Sequence, residues 1–345
     1  MKTPVIHPRA KQNLFAVALG LLIAFCSITC SPGQVYASDT LTNKDALEIA
    51  VEAYTYAYPL VLIEVTRQLA TNVEVVGKNG SYAPINQFAH SPSFPDTSFT
   101  EAVRPNADTL YSSIFFDVTK EPIVIHVPDS GGRYYLLPLL DMWSDVFTSP
   151  GSRTTGTGEQ TFAIVGPSWH GELPGDMEMI RSPTSTAWMI GRIQTNGKSD
   201  YENVHTFQDG LKACPLSAWG KEYVAPKGKV DPKISSKPPI EQVANMAAAK
   251  YFALFTTMTG DNPPHSNDYP ILARVKHIGI EPGKPFDFTK ATPQIQEALK
   301  KAVPIVQEKI KAGLAAAGTT VNNWSMLLWD RLRATHARSL RRPWS

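Results

Sequence analysis

Cysteine is nearly missing: the 345 residues hold three, Cys26, Cys30 and Cys214. The first two fall in a stretch read below as a removable leader. The mature chain therefore keeps one thiol and forms no internal disulfide. Stability must come from a hydrophobic core, which about 300 residues suffice to build, over two domains by size. Cys214 has no obvious His or Asn partner, so it reads as a small apolar residue and not as a nucleophile.

Other absences exclude further classes. No run after residue 37 is apolar enough to cross a membrane, so no stable span is expected in the mature chain. A large charge of one sign is missing too. The formal charge is +2, but residues 1–37 carry three basic and no acidic side chains, which leaves 30 basic against 31 acidic. Ser325–Ser345 hold five Arg and one Asp. The body is therefore acidic, has no basic patch interleaved with aromatics, and is not expected to bind nucleic acid. No Gly-x-x-x-x-Gly-Lys-Ser/Thr loop, no Gly-x-Ser-x-Gly elbow and no well-placed Ser-x-x-Lys is present. Seven mature histidines (His90, His126, His170, His205, His265, His277 and His336) show neither His-Glu-x-x-His nor His-x-His spacing, so no metal and no cofactor is expected. Asp261–Asp268 is rich in oxygen donors but lacks the glycine and terminal glutamate of a calcium loop, and reads as helix capping. There is no internal repeat and no alternation of strands with helices, which disfavours a doubly wound sheet.

What is present begins at the N-terminus. Lys2, Arg9 and Lys11 precede the apolar stretch Leu14–Ile28, and Val35-Tyr36-Ala37 offers small residues for a signal peptidase. Cleavage after Ala37 is expected, with a periplasmic or secreted product. Phe25 and Thr29 stand before Cys26 and Cys30 where a lipidated cysteine wants a small residue.

Residues 40–70 read as a helix, with Ala46, Ile49, Ala50, Ala53, Tyr54 and Ala57 on one face and Pro59 as a kink or break. From Tyr82 to Ile193 the texture is of short strands broken by Gly, Pro, Ser and Asp: Ser112–Val118, Ile123–Val127, Tyr134–Leu140, Phe162–Val165 and Trp188–Ile193. Such spacing suits a β-sandwich. Residues 219–239, rich in Lys, Pro and Gly, read as a linker or long loop. A helical part follows. One stripe is Val243, Ala247, Tyr251, Leu254, Phe255 and Met258. A short helix spans about Ile271–Ile278. A long helix from Thr292-Pro293 has the face Ile295, Leu299, Ala302, Val306, Ile310 and Leu314.

Polar residues cluster between Arg104 and Arg192. Arg104-Pro-Asn106-Ala-Asp108-Thr-Leu-Tyr111 leads into a strand; these groups either form a backbone-bonded turn or meet a ligand. Asp141-Met-Trp143-Ser144-Asp145 puts carboxylates and an indole at a strand end, as a flat polar or sugar-like ligand would need. Ser149–Gly156, around Arg153, is either an exposed turn or an anion cradle. Arg104, Arg153, Arg181 and Arg192 could hold a carboxylate or phosphate, or pair with Asp structurally.

These residues resemble a bacterial family. Arg104-Pro-Asn-Ala-Asp-Thr-Leu-Tyr-Ser112, Gly132-Arg133-Tyr134, Ser149-Pro-Gly-Ser-Arg-Thr-Thr-Gly156, Ile180-Arg-Ser-Pro-Thr184, Gly191-Arg192 and His205-x-x-Gln208-Asp209 look like domain of unknown function 1254, from about Asp45 to Trp324. The resemblance implies an immunoglobulin-like β-sandwich followed by a small helical domain. Members usually continue into a jelly-roll, domain of unknown function 1214. The family has no settled activity, so no catalytic role carries over.

The expected organisation is thus α+β: leader 1–37, N-terminal helical segment 38–79, immunoglobulin-like β-sandwich 80–218, linker 219–239, all-helical domain 240–320, and an Arg-rich tail 325–345. Two functions stay open. One is a hydrolase or sugar-active enzyme using Asp108, Asp141 or Asp145 as acid or base near Arg104 and Tyr111. Asn106, Trp143, Ser144, Arg153, Arg181 and Arg192 would then bind a small-molecule ligand. The other is a non-catalytic binding or envelope-assembly module using the same residues. Self-association stays open as well.

The tail departs from the family pattern. Leu328-Trp-Asp-Arg-Leu-Arg333 stands where family members read Tyr-Gly-Thr-Asp-Tyr, and a one-base shift of suitable codons interconverts the two. The expectation is that residues from about Leu327 are out of frame. Resequencing the gene across codons 320–345 and beyond should reveal a single-base insertion or deletion; a stop after Ser345 with no downstream frame would show that the tail is genuine.

Overall fold

The computed structural model describes residues 41–77, 82–95, 106–175, 177–316, 319–321 and 324–326. Ala37, Arg104 and the tail from residue 327 lie outside these.

The architecture is α+β. Helix α1 (Asn43–Thr71) opens it and runs on through Pro59. All six small and apolar positions expected on its inner face are buried, and the stripe continues through Leu60, Val61, Ile63 and Val65. By length and composition α1 could cross a membrane, which the expectation of no such segment after residue 37 did not anticipate. Half of its most apolar window is buried in the fold, as in a core helix.

Two sheets follow. The first is ordered β1 (Ala89–His90), β2 (Thr109–Asp117), β9 (Thr186–Gln194), β5 (Leu139–Asp141), β6 (Val146–Thr148), with β4 (Tyr135–Leu136) also on β9. Every pairing in it is antiparallel. The second is ordered β10 (Lys212–Pro215), β3 (Ile123–Val127), β7 (Gln160–Val165), β8 (Glu178–Arg181), and its β7–β8 pair is parallel. Residues of both sheets share one core, including Leu110, Ile114 and Phe116 of β2, Ile123 and Ile125 of β3, Phe162 and Ile164 of β7, and Met189 and Ile193 of β9. The period of two is visible in β9, where Ala187, Met189, Gly191 and Ile193 are buried and their neighbours are not. Pro138 separates β4 from β5 because proline offers no N–H to the ladder. Helix α2 (Tyr201–Gly210) covers one end of this core through Val204 and Phe207.

The remaining helices gather on α1. They are α3 (Pro239–Ala244), α4 (Ala248–Asp261), α5 (Tyr269–Lys276) and α6 (Pro293–Ala316), and all four pack against it. The segment 239–260 is two helices, because the chain turns at Asn245 and Met246, whose N–H groups bond the carbonyls of Glu241 and Val243. That turn leaves Ala247 exposed and brings Phe252, Thr256 and Thr259 inward beside Tyr251 and Phe255. The Tyr251 ring stacks on Tyr54 at 4.0 Å and its hydroxyl donates to the Tyr54 carbonyl at 2.8 Å. Gln307 of α6 donates to the Tyr54 hydroxyl at 2.8 Å. Helix α1 is therefore the centre of the helical part that follows the sheets.

Residues 219–239 contain a long irregular stretch that is tied down. Asn72 and Asp231 exchange side-chain and backbone hydrogen bonds of 3.0 and 2.7 Å, and the Gly228 N–H donates to the Glu74 carbonyl at 2.8 Å. The segment runs against the end of α1. Beyond α6, β11 (Thr319–Val321) and β12 (Trp324–Met326) form a hairpin.

Gly191 lets β9 lie close to its neighbours. A Cβ there would stand 2.8 Å from the Ser112 carbonyl oxygen and 2.8 Å from Leu137 Cδ2. Gly191→Ala should lower stability by about 1–3 kcal/mol, as overpacking does. The check is a guanidinium melt, in which the midpoint falls with little change of slope; an unchanged midpoint would contradict the close contact.

Candidate functional site

Strand β9 separates the expected polar region into two groups. Tyr111 is the cross-strand partner of Arg192, whereas Asp141 is the partner of Ala187. These positions are five steps apart along the strand, or about 17 Å at the usual rise. The candidates do not meet in one cleft.

At the Arg192 end, the Asn106 side chain closes a turn. Its Oδ1 accepts from the Asp108 N–H at 2.6 Å and the Thr109 N–H at 3.3 Å, and its Nδ2 meets the Tyr111 hydroxyl at 3.2 Å. The turn reading therefore holds for Asn106, and the exposed Asp108 contributes its backbone to that turn. The Arg192 guanidinium lies over the Tyr111 ring at 5.6 Å. Behind them α2 is docked by Gln208, which donates to the carbonyls of Tyr111 and Ser91 at 2.9 and 3.3 Å.

Of the other expected arginines, Arg181 is occupied by the fold and Arg104 lies outside the described residues. Arg181 donates to the carbonyls of Gly166, Pro167 and Trp169 at 3.0, 3.2 and 2.8 Å and so holds a turn. Arg153 lines a cavity of about 190 Å³ with Tyr134, Ser149 and Thr154. In the loop around it the N–H groups of Thr154, Thr155 and Gly156 converge on the Gly151 carbonyl at 3.0–3.1 Å, so these three amides face the loop itself. Arg133, within the Gly-Arg-Tyr motif, grips Asp200 with two bonds of 2.7 and 2.8 Å. That grip, with hydrogen bonds from Asn196 and Asn203, holds the Asp200 carboxyl well below the usual range.

The second group is built differently. Strand β5 ends at Asp141, 1% exposed, whose Oδ1 accepts from the backbone N–H groups of Trp143 and Asp145 at 2.8 and 3.1 Å. Ser144 takes a left-handed φ of 73°, and the chain returns so that the Asp145 carbonyl accepts from the Asp141 N–H at 3.0 Å. The Asp141 Oδ2 is left for His265, whose Nε2 lies 2.7 Å away. On the other side of the ring, Nδ1 faces Asp145 Oδ2 at 3.4 Å. Ligand atoms of Asp141, Asp145 and His265 all lie within 4.8 Å of one another.

Apolar groups back this cluster. The Trp143 ring packs on Tyr56 at 5.0 Å, Phe255 at 6.2 Å and His265 at 6.4 Å, and its indole N–H donates to the Pro263 carbonyl at 3.0 Å. Tyr56 donates to Asp268 Oδ2 at 2.8 Å, and the same oxygen accepts from the His265 N–H at 3.2 Å. Burial first, and then the Asp268 carboxylate, push the Tyr56 phenol far above its ordinary range, so its proton stays on that bond.

Sequence reasoning missed His265 and Tyr56. Asp141 and His265 are 124 residues apart, so no local spacing could join them. The one signal was the polar run Asp261–Asp268, where Asp268 does cap the turn that opens at His265. A larger cavity, about 520 Å³, is lined by Arg67, Asp117, Thr186, Lys227, Asp261 and Asn262 among others, and none of Asp141, Asp145 and His265 borders it.

Residues 85–215 match the family described as Protein of unknown function (DUF1254). The resemblance to that family is shown over this stretch. It takes in every strand of both sheets, helix α2, and Asp141, Trp143 and Asp145, but not His265. Among solved structures, the chain is similar to the VPA0106 protein from Vibrio parahaemolyticus, with a TM-score of 0.56 and 24% identity over 78% of this chain. That likeness concerns the fold alone, and the chain spans 59% of that neighbour's length. No curated protein matches the chain.

His90, on β1 behind Tyr111, titrates within reach of experiment. Its ring stacks on Phe88 at 5.4 Å and its Nδ1 meets the Ser112 hydroxyl at 2.9 Å. Burial draws its pKa from 6.5 down to about 4, Asp209 opposing and Lys212 assisting. The unfolded chain takes the proton more readily, so this stabilisation is whole above pH 6.5 and is lost as pH falls from 6.5 towards 4, on the order of 3 kcal/mol. His90→Gln should flatten the melting temperature over that window relative to the native chain. Parallel curves for the two proteins would refute the assignment.

Proposed function

We propose that the chain binds a small polar or sugar-like molecule at the edge formed by Asp141, Trp143, Asp145 and His265, and hydrolyses it with His265 as general base. The observation that carries this is one imidazole held between a buried and an exposed carboxylate beside an indole. Asp141 accepts two backbone N–H groups and still faces Nε2, so it fixes the ring, and the opposite nitrogen is turned towards the exposed Asp145. A ring oriented in this way can take a proton from a water that attacks a bound ester and return it to the departing alkoxide; a glycoside would need a carboxylic acid such as Asp145 to protonate the leaving oxygen. The shared histidine distinguishes the pair from two carboxylates flanking a glycosidic bond. Asp108 and Tyr111 take no part in this reading.

A second reading, a non-catalytic binding or envelope-assembly module, is favoured by a different observation. Asp145 is 72% exposed and the 520 Å³ cavity lies elsewhere, so the edge is open. We infer that the two sheets form an immunoglobulin-like sandwich, which their common core supports and from which the parallel β7–β8 pair departs. A periplasmic or secreted location rests on the pattern of residues 1–37, and a following jelly-roll rests on the family resemblance.

The test is a panel of 4-nitrophenyl esters and glycosides, with Trp143 fluorescence read against free monosaccharides. Hydrolysis that falls at least 100-fold in His265→Ala, with an unchanged melt, supports the enzyme. Saturable quenching without turnover supports the binding module. Neither signal from any compound would overturn both.

A further inference from the structure

We propose that His265 and Asp145 hold a divalent zinc-class metal ion, with Asp141 fixing the histidine ring. The proposal rests on the reading of the same edge for its location, and the ion would take the Nδ1 lone pair in place of the general-base role, with His265 becoming a ligand.

The two nitrogens of His265 are in unlike positions. Nε2 lies 2.7 Å from the Oδ2 of the buried Asp141, a charge-assisted hydrogen bond by length. Asp141 is committed to that bond and to two backbone N–H groups. With the proton on Nε2, the Nδ1 lone pair lies on the other side of the ring, where the Asp268 N–H of the capping box approaches the side chain as well. This is how a carboxylate orients a metal-binding histidine and sets its tautomer.

What Nδ1 faces is a second carboxylate oxygen, Asp145 Oδ2, at 3.4 Å. That is longer than an N–H···O hydrogen bond. Metal–ligand bonds of about 2.1 Å meeting at a tetrahedral angle place the two ligand atoms about 3.4 Å apart. An octahedral ion with the same bonds needs about 3.0 Å. Imidazole with carboxylate is also a donor set for zinc and its transition-metal neighbours and not for magnesium or calcium. Among the described residues, Nδ1 is the polar contact of the Asp145 carboxylate. Trp143, Tyr56 and Phe255 supply an apolar backing on one side, while the exposure of Asp145 leaves a path for the ion. Two protein donors leave two positions for water or for the oxygens of a small ligand.

The experiment is calorimetric titration of the chelator-treated full chain with zinc chloride, and in parallel with manganese and magnesium chlorides. One equivalent of zinc is expected, bound more tightly than either other ion. His265→Ala and Asp145→Asn should abolish it, the second variant changing an exposed side chain. Asp141→Asn should weaken it 10–100-fold, and circular-dichroism melts report that each variant folds. No zinc binding, or one equivalent retained by folded His265→Ala or Asp145→Asn, would overturn the proposal. Repeating the quenching and turnover assays in EDTA separates the two readings. Ligand signals that persist without any zinc binding overturn the metal alone. Zinc bound at this site with no ligand signal leaves the metal standing and overturns the small-ligand reading.

Discussion

Trp143 joins the strands to the helices. Its indole is buried, bonds the Pro263 carbonyl, and packs against Tyr56 of α1 and Phe255 of α4. Its own N–H is fixed by Asp141, so the same turn that seats the indole also aims a carboxylate at His265. A large aromatic with one polar atom suits such a joint, because its area contributes burial and its N–H finds a partner. The loop that carries His265 is held a second time, where Asn262 Oδ1 accepts from the Thr186 N–H at 3.2 Å and the Asp261 carbonyl accepts from the Ser185 N–H at 3.2 Å. The candidate site exists because strand end and helix loop are locked together along this line.

Charge is handled in two ways in the fold. Arg133 with Asp200 forms a bidentate pair that joins two segments, and Arg67 with the buried Glu64 forms another within α1. Arg181 spends its donors on carbonyls of a turn. A guanidinium satisfied in this way is unavailable to an anionic ligand. By contrast, among the described residues no arginine meets Asp141 or Asp145; a histidine does. Imidazole is the side chain that can donate or accept near neutral pH and can also bind a metal, so this difference separates a chemically versatile spot from the structural pairs around it.

The helical part shows why contiguity in sequence misleads. Residues 43–71 precede the sheets, yet their partners are α3 to α6, from the far end of the chain. An apolar helix stripe says that something must cover it. It does not say what, and Tyr54 finds Tyr251 and Gln307 across some 200 residues and more.

Periodicity alone determined much of this protein: the inner face of α1, the positions of β2, β3, β7 and β9, the long helix α6 and the α+β class, because burial imposes spacings of two and 3.6 on the chain. Ordered motifs determined the family resemblance over residues 85–215. The break at Asn245, the parallel β7–β8 pair, the docking of residues 226–231 on α1 and the separation of Tyr111 from Asp141 along β9 were decided by tertiary structure. So was the pairing of His265 with Asp141 and Asp145. Such contacts depend on which surfaces meet, and residues 124 positions apart leave no spacing in the sequence for a reader to find.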